Sequence, residues 1–355
     1  MKRFLTLALG SITVAVTAMM ALGCQSAAPS SSSPPPPAAT QPAASQAAPQ
    51  QAAKPAAASS YPTRGIDLIV PYAPGGGSGI TAETINKIVT EEKLSPQPLN
   101  IQYKPGASGA IGWAYVAGRK GDPYTIATVT ASFINGPVLG QSPLKLEEFT
   151  PIALQLLDQN LLVTFPNSPF KGLKDVVDAA KKTPKSVKVA GTGAAGSDAI
   201  VAALVEQAAG IKFNMIPFDS GAEVNAAILG GQVDIAISNP NEFLPNIQAG
   251  KLRPLGVASE ERMPTLKDVP TLKELGYDVV FVTGRGITAP AGIGAAERDW
   301  LADMMKKVTQ SKIWKDYADQ NSMTIKYLGP DEYRKWLADE TEKLIKIFKS
   351  MGVIK

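Results

Sequence analysis

Two glycine-rich segments have the residue pattern with the clearest chemical use in this chain. Residues 74–81 and 191–198 each follow a short apolar run and precede a segment whose apolar residues recur at helical spacing. A loop between a strand and a helix leaves the first N–H groups of the helix unpaired, with about +0.5 of an elementary charge. Glycine lets a ligand approach these groups. We therefore predict two anion sites, although 74–81 also fits a plain turn with a serine cap.

The second loop also has the spacing of a dinucleotide fingerprint. Gly191, Gly193 and Gly196 form a G-x-G-x-x-G pattern after a strand, and Asp219 follows at the position of a ribose-binding acid. An oxidoreductase that binds a dinucleotide through these residues is therefore an alternative. The motif is short enough to occur by chance, and Asp219 also fits a helix cap.

Composition excludes several classes of chemistry. The chain has no histidine among its 355 residues, so a histidine base, a histidine-activated nucleophile and a histidine-ligated zinc are excluded. Its one cysteine, Cys24, precedes the folded part. The first 60 residues have three of the 35 basic side chains and none of the 31 acidic ones. The remaining body is nearly neutral, which argues against nucleic-acid binding. We expect no cofactor, no metal and no enzymatic activity.

The amino-terminal segment has the features of a bacterial lipoprotein. Lys2 and Arg3 precede an uncharged apolar stretch, and small residues lead to Cys24. We predict a signal peptide at 1–23, lipid attachment at Cys24 and a disordered linker rich in proline, alanine and serine at 24–60. An uncleaved anchor helix is the alternative, because about 19 apolar residues nearly span a bilayer. Both interpretations place the body outside the cytoplasm and tethered to the membrane.

The body alternates predicted strands with predicted helices. This order predicts an α/β fold with mixed sheets flanked by helices, and about 300 residues favour two lobes over one. The predicted strands are 67–71, 99–103, 125–130, 161–165, 186–190, 213–218, 233–238, 255–258 and 279–282. The predicted helices are 80–92, 173–181, a segment ending near 209, 222–229, 295–310, 311–320 and 330–351.

Ordered blocks along the whole body resemble one known family. They include IVPYAPGGGS at 69–78, KPGASGAIG at 104–112, DPYT at 122–125, GTG at 191–193, GGQVD at 230–234, AGKLRPL at 249–255, DVPTLKELG at 268–276 and APAG at 289–292. The chain thereby resembles the extracytoplasmic solute-binding proteins of tripartite tricarboxylate transporters, the TctC or Bug family. Each block alone is weak, but their common order makes the resemblance specific.

The resemblance implies a two-lobed periplasmic-binding-protein fold of type II that closes over a small carboxylate. It implies delivery of this ligand to the large and small membrane subunits of a permease. The lobes should comprise 61–163 with 283–355, and 164–282, and we expect a monomer. The ligand-binding residues that the resemblance implies are Tyr72, Ala73, Pro74, Gly75, Gly76, Ser78, Gly79, Ser132, Phe133, Gly191, Thr192, Gly193, Gly196, Ser197, Phe218, Asp219, Ser238 and Asn239.

Two positions depart from the family pattern and leave the ligand open. Gly79 stands where an acidic residue is frequent, and Ile200 stands where a histidine is common. The missing acid favours an anionic ligand, whereas Asp198 and Asp219 suit a ligand that also has an amine. A tethered carboxylate sensor that no longer transports its ligand is a further alternative.

Overall fold

The computed structural model describes residues 61–350 and 352–355. The predicted signal peptide, Cys24 and linker lie outside the described residues. In chain order the elements are β1 (Ile66–Val70), α1 (Gly77–Glu91), β2 (Leu99–Tyr103), α2 (Ala110–Ala117), β3 (Thr125–Val129), α3 (Ser132–Val138), β4 (Phe149–Gln159), β5 (Leu161–Thr164), α4 (Leu173–Lys182), β6 (Lys188–Gly191), α5 (Ser197–Ala209), β7 (Asn214–Pro217), α6 (Gly221–Leu229), β8 (Ile235–Ser238), α7 (Pro240–Gln248), β9 (Arg253–Val257), β10 (Val282–Pro290), α8 (Ala295–Gln310), α9 (Lys312–Gln320), β11 (Thr324–Leu328) and α10 (Pro330–Ser350).

The strands form two sheets. The first sheet has the order β11-β4-β10-β3-β1-β2, and the second has the order β7-β6-β8-β5-β9. Strands joined through helices pair in parallel, as in β1 with β2 and β6 with β7. The pairs that involve β4, β5 or β10 are antiparallel. The predicted α/β class with mixed sheets flanked by helices is confirmed.

Two adjacent strands of the first sheet lead to and from the second sheet. Only Asn160 separates β4 from β5, and the chain returns from β9 to β10 between Val257 and Val282. The register pairs Val282 with Gln159 and continues to Pro290 opposite Phe149. The two crossings between the sheets therefore lie side by side.

Both faces of the first sheet are covered, which explains its apolar strands. Along β1, Ile66, Leu68 and Val70 pack in the cluster that contains residues of α1, α8 and α9. Ile69 points to the opposite face, in the cluster that contains Trp113 of α2. Successive side chains alternate between the faces of a strand, so a strand covered on both sides consists of consecutive apolar residues.

Three strands differ from the sequence-based predictions. β4 was not predicted because Pro151 interrupts its apolar run, and proline removes a ladder donor. Pro151 is tolerated because β11 pairs with β4 only from Leu154 onward, which leaves one side of Pro151 without a neighbouring strand. β11 was not predicted, and β10 begins at Val282, where the strand predicted at 279–282 ends.

Three helices were also missing from the predictions. α2 and α3 are short and almost uncharged, so neither has a clear polar face. α7 begins at Pro240, a residue type that more often marks turns and strand ends. Proline is well suited to the first position of a helix, where its missing N–H group would have no partner. None of the helices in the described part of the chain is long and apolar enough to cross a membrane.

Replacing Gly286 by alanine should destabilise the first sheet. An added Cβ would lie 2.5 Å from the Ala153 carbonyl oxygen and 2.5 Å from the Tyr333 hydroxyl, so backbone must move. We expect the free energy of unfolding in urea to fall by about 1–3 kcal/mol. Gly118→Ala is the control, because its added Cβ makes an ordinary 3.5 Å contact and its φ is −66°. Equal losses in the two variants would contradict this packing.

Candidate functional site

The amino ends of helices that follow both sheets line one central cavity. They include α1, which follows β1 of the first sheet, and α5, α6 and α7, which follow β6, β7 and β8 of the second sheet. The central cavity is lined by Tyr72, Gly76, Gly77, Ser78, Thr130, Ala131, Ser132, Thr192, Gly196, Ser197, Gly221, Ser238, Asn239, Glu242, Thr283 and Arg285. The volume of this cavity is about 40 Å³, which is room for about three waters.

Glycines allow the two sheets to approach each other at this cavity. α1 begins at Gly77, three residues before the predicted start, because Gly76 caps it in an extended conformation. A Cβ on Gly76 would lie 3.2 Å from the backbone nitrogen of Gly221, at the start of α6. A Cβ on Gly77 would lie 3.0 Å from Nη2 of Arg285. Larger residues here would separate α1 from α6.

Glu242 joins the amino ends of α1 and α7. Its Oε1 accepts a hydrogen bond from the Gly77 backbone N–H at 2.5 Å. Its Oε2 accepts from the Asn239 backbone N–H at 3.2 Å and from the Ser238 hydroxyl. Removal from bulk water raises the pKa of Glu242, and the Gly77 N–H opposes this effect. One carboxylate therefore satisfies the first turns of two helices that follow different sheets.

Asn241, beside Glu242, makes further contacts with the elements of the first sheet. Its Nδ2 donates to the Tyr317 hydroxyl at 2.9 Å and to the Gly77 carbonyl oxygen at 3.4 Å. The Tyr317 hydroxyl also lies 3.0 Å from the Thr81 hydroxyl of α1. The first turns of α7 and α1 are thus held together by both side-chain and backbone groups.

The Asp198 carboxylate accepts hydrogen bonds in the loop before α5, as the Glu242 carboxylate does at the amino end of α1. Its carboxylate accepts from the Thr192 backbone N–H and lies 3.2 Å from the Thr192 hydroxyl. Asp198 is only 1% exposed. Burial raises the pKa of Asp198 to about 7, and hydrogen bonds from backbone N–H groups oppose this increase. Both glycine loops therefore already contain a carboxylate of the protein, although the sequence analysis expected their N–H groups to be free.

A buried ion pair connects β4 and β10 beside the cavity. Arg285 Nη2 lies 2.6 Å from Asp158 Oδ2, and Arg285 Nε donates to the same oxygen at 2.7 Å. The other carboxylate oxygen accepts from the Gln159 backbone N–H at 2.8 Å. Arg285 also lines the central cavity, so it brings a positive charge to that wall.

Hydroxyl groups form another wall of the cavity. The Tyr72 hydroxyl donates to Ser132 Oγ at 2.8 Å and lies 3.0 Å from the Thr130 hydroxyl. Burial raises the pKa of Tyr72, so its hydroxyl stays protonated at neutral pH. This wall offers neutral hydrogen-bonding groups.

The predicted site residues are divided among several places. Those at the central cavity are Tyr72, Gly76, Ser78, Ser132, Thr192, Gly196, Ser197, Ser238 and Asn239. Tyr72, Gly193, Phe218 and Asp219 line a neighbouring cavity of about 280 Å³. Ser132 and Phe133 line another of about 210 Å³. Ala73, Pro74, Gly75, Gly79 and Gly191 line none of these three cavities.

Two of these positions open a helix. β3 ends at Val129, and Ser132 and Phe133 are the first residues of α3. Phe133 is 2% exposed and packs its ring against Trp113 and Phe149, which identifies it as a core residue. Gly79 faces the Tyr103 ring, because a Cβ there would lie 3.2 Å from that ring.

The sequence analysis missed the charged residues of the site. Glu242 follows Asn239 by three residues, a spacing typical of a capping box. Asp158 and Arg285 each stand alone in an apolar run, and a charge in a buried strand needs a partner. Those patterns could have identified all three residues. Within the described ranges, no group of three or more acidic, cysteine or histidine side chains could hold a metal ion.

The fold and the cavity define a binding protein of the periplasmic class. Residues 85–353 match the family described as the tripartite tricarboxylate transporter family receptor, TctC. The chain therefore belongs to this family of extracytoplasmic solute-binding receptors.

Individual relatives agree with this assignment. Protein BugT of Bordetella pertussis is 29% identical over 302 residues, which cover 83% of this chain and 91% of BugT. A solved structure described as a periplasmic transporter has a TM-score of 0.78 at 26% identity and covers 82% of this chain and 99% of its own. The R. palustris protein Rpa4515, solved with adipate, has a TM-score of 0.76 at 22% identity and covers 82% and 98%, respectively.

Replacing Glu242 by glutamine should destabilise the protein. Both carboxylate oxygens of Glu242 accept hydrogen bonds. In glutamine an NH2 group replaces one of these oxygens, so it would face a hydrogen-bond donor and leave that donor without an acceptor. We expect the free energy of unfolding in urea to fall by about 2–4 kcal/mol. Glu223→Gln is the matched control, because Glu223 also caps its own helix but is exposed and accepts from Asp219. A loss as large in this control would contradict the bridging role of Glu242.

Replacing Asp198 by asparagine should change the dependence of stability on pH. The native pKa of about 7 lies above the ordinary aspartate pKa of 3.8, so the native state binds the proton more tightly than the unfolded chain. The Asp198 contribution therefore weakens as pH rises from about 4 to about 7 and is constant at higher pH. The difference in unfolding free energy, wild type minus Asp198→Asn, should fall across this range. A difference that is constant or rises would contradict the shifted pKa.

Proposed function

We propose that this protein is a lipid-anchored solute receptor that captures a small carboxylate in the central cavity and delivers it to a tripartite tricarboxylate-type permease. The observation that supports this most directly is the Arg285 guanidinium, which lines one small cavity beside the amino ends of α1, α5, α6 and α7. Helix amino ends and guanidinium groups both favour anions. Adipate in the related fold of Rpa4515 agrees with a carboxylate ligand.

Closure of two lobes around the ligand is the proposed signal for transport. We assign 61–163 and 283–355 to one lobe and 164–282 to the other. The adjacent crossings at Asn160 and Val282 suit a hinge, since a few residues at the ends of strands can absorb such a rotation. The ligand would exchange in the open form and be retained in the closed form.

We propose cleavage of a signal peptide at 1–23, lipid attachment at Cys24 and a linker at 24–60 that holds the receptor away from the membrane. The receptor acts as a non-enzymatic monomer and docks on the large and small membrane subunits of the permease.

The contacts of the second glycine loop weigh against the dinucleotide alternative. The Thr192 N–H, which a pyrophosphate would need, is hydrogen-bonded to Asp198. Asp219, the residue suggested for a ribose, lines a cavity different from the one lined by Thr192 and Gly196. A dinucleotide would have to displace Asp198 and span both cavities.

Ligand binding can be tested by thermal unfolding of the full-length chain. The panel is acetate, succinate, adipate, citrate, glutamate, benzoate and NAD. At least one of the acids should stabilise the native state, by about 2.7 kcal/mol at a hundredfold excess over its Kd. Stabilisation by NAD alone, or by none of the acids, would contradict the proposal.

Gly76→Val should abolish that stabilisation, because a side chain here would hold α1 away from α6 and prevent closure. Gly172→Val is the matched control. Gly172 also caps a helix in extended backbone, and a Cβ there meets nothing within 4 Å. If Gly76→Val kept the full stabilisation, closure around the ligand would be excluded.

A further inference from the structure

Two side chains of β10 reach the central cavity from the same face of the strand. Thr283 and Arg285 are two residues apart, and alternate residues of a strand share a face. Both line the cavity, and they are 3% and 4% exposed, respectively. The register places Thr283 directly opposite Asp158, the partner of Arg285. Thr283 and Arg285 together form the β10 wall of the cavity.

Arg285 has hydrogen-bond donors that its ion pair with Asp158 does not use. Its Nε and Nη2 both contact a single oxygen, Asp158 Oδ2. A guanidinium has five N–H donors in a fixed planar arrangement that matches a carboxylate. Among the described residues, no acceptor contacts Nη1.

Thr283 has a buried hydroxyl group without a partner. Its Oγ1 has no hydrogen-bond partner among the described residues. A buried hydroxyl without a partner costs free energy, and valine has the same shape without that cost. A ligand that accepts a hydrogen bond would satisfy this hydroxyl when the cavity is occupied.

Glu242 makes the other obvious anion site inaccessible. The Gly77 N–H at the amino end of α1 is already bonded to Glu242 at 2.5 Å. The nearby carboxylates do not prevent an anion from binding at the β10 wall. The amino ends of α1 and α7 offset the negative charge of Glu242, and Arg285 offsets that of Asp158. The amino end of α5 also faces this cavity through Gly196 and Ser197, but the buried Asp198 carboxylate already accepts the Thr192 N–H before it.

We propose that the β10 wall is the seat of the ligand's carboxylate, held by Arg285 Nη1 and the Thr283 hydroxyl, while Glu242 excludes it from the amino end of α1. This inference rests on the proposed function, because it assigns the atoms that hold the proposed carboxylate. The seat has room only for a small head group. The rest of a longer acid would extend past Tyr72 or Ser132 into the neighbouring cavities, which share these residues.

The test compares Thr283→Val with Thr288→Val in the full-length protein. Thr288 lies on the same strand and is equally buried, but its hydroxyl donates to the Thr150 carbonyl oxygen at 3.1 Å, and it does not line the cavity. Acetate, succinate, adipate, citrate, glutamate and benzoate are titrated calorimetrically into each protein. Thr283→Val should bind the acids at least tenfold more weakly, with an unchanged or higher Tm in their absence. Thr288→Val should have a lower Tm and an unchanged Kd.

Arg285→Lys provides a second, independent variant. It keeps the positive charge beside Asp158 but loses the planar donor arrangement, so it too should weaken binding at least tenfold. If the wild type binds an acid and both Thr283→Val and Arg285→Lys keep its Kd within twofold, the seat is elsewhere and the receptor function stands. If the wild type binds none of the acids, the proposed function and this seat are both wrong.

Discussion

The central region of this protein depends on one carboxylate shared by two helices. Glu242 accepts hydrogen bonds from the first turns of α1 and α7, which follow strands of different sheets. Each helix end has unpaired N–H groups and a partial positive charge, so a single anion satisfies both. The helix ends must lie close together to share one carboxylate, which explains why residues 76, 77 and 221 are glycines. An acidic side chain thus holds the positively polarised helix ends together.

The second organising feature is the pair of strands that lead between the sheets. β4 and β10 are adjacent, and their charges, Asp158 and Arg285, are buried against each other. Breaking such a buried pair leaves an uncompensated charge, so both residues are constrained once one is present. β10 also forms part of the cavity wall through Thr283 and Arg285. A ligand that contacts Arg285 or Thr283 therefore touches the segment that joins the two sheets, which couples the proposed binding directly to the proposed closure.

The two glycine loops have a different role from the one suggested by helix physics alone. Helix physics predicted an anion site at each loop. Residues of both loops line one cavity, but each loop is occupied by a carboxylate of the protein itself, Glu242 or Asp198. A receptor whose backbone anion sites are occupied internally can still bind an anion through side chains. This arrangement gives Arg285 its importance in a small cavity half of whose lining residues have hydroxyl groups.

The sequence by itself determined most of the local elements, the α/β class and the family, because apolar spacing, glycine and proline act over a few residues and the family blocks are contiguous. It located α8 at 295–310 without error and both glycine loops near their observed positions. Only the tertiary structure decided which charges meet. Gly77 and Glu242 are 165 residues apart, and Asp158 and Arg285 are 127 apart. Their pairing depends on sheet order and on the side-by-side crossings of β4 and β10, which no local pattern encodes. The helix that presents Glu242 also begins with a proline, a residue that is frequent in turns as well as at the first position of helices.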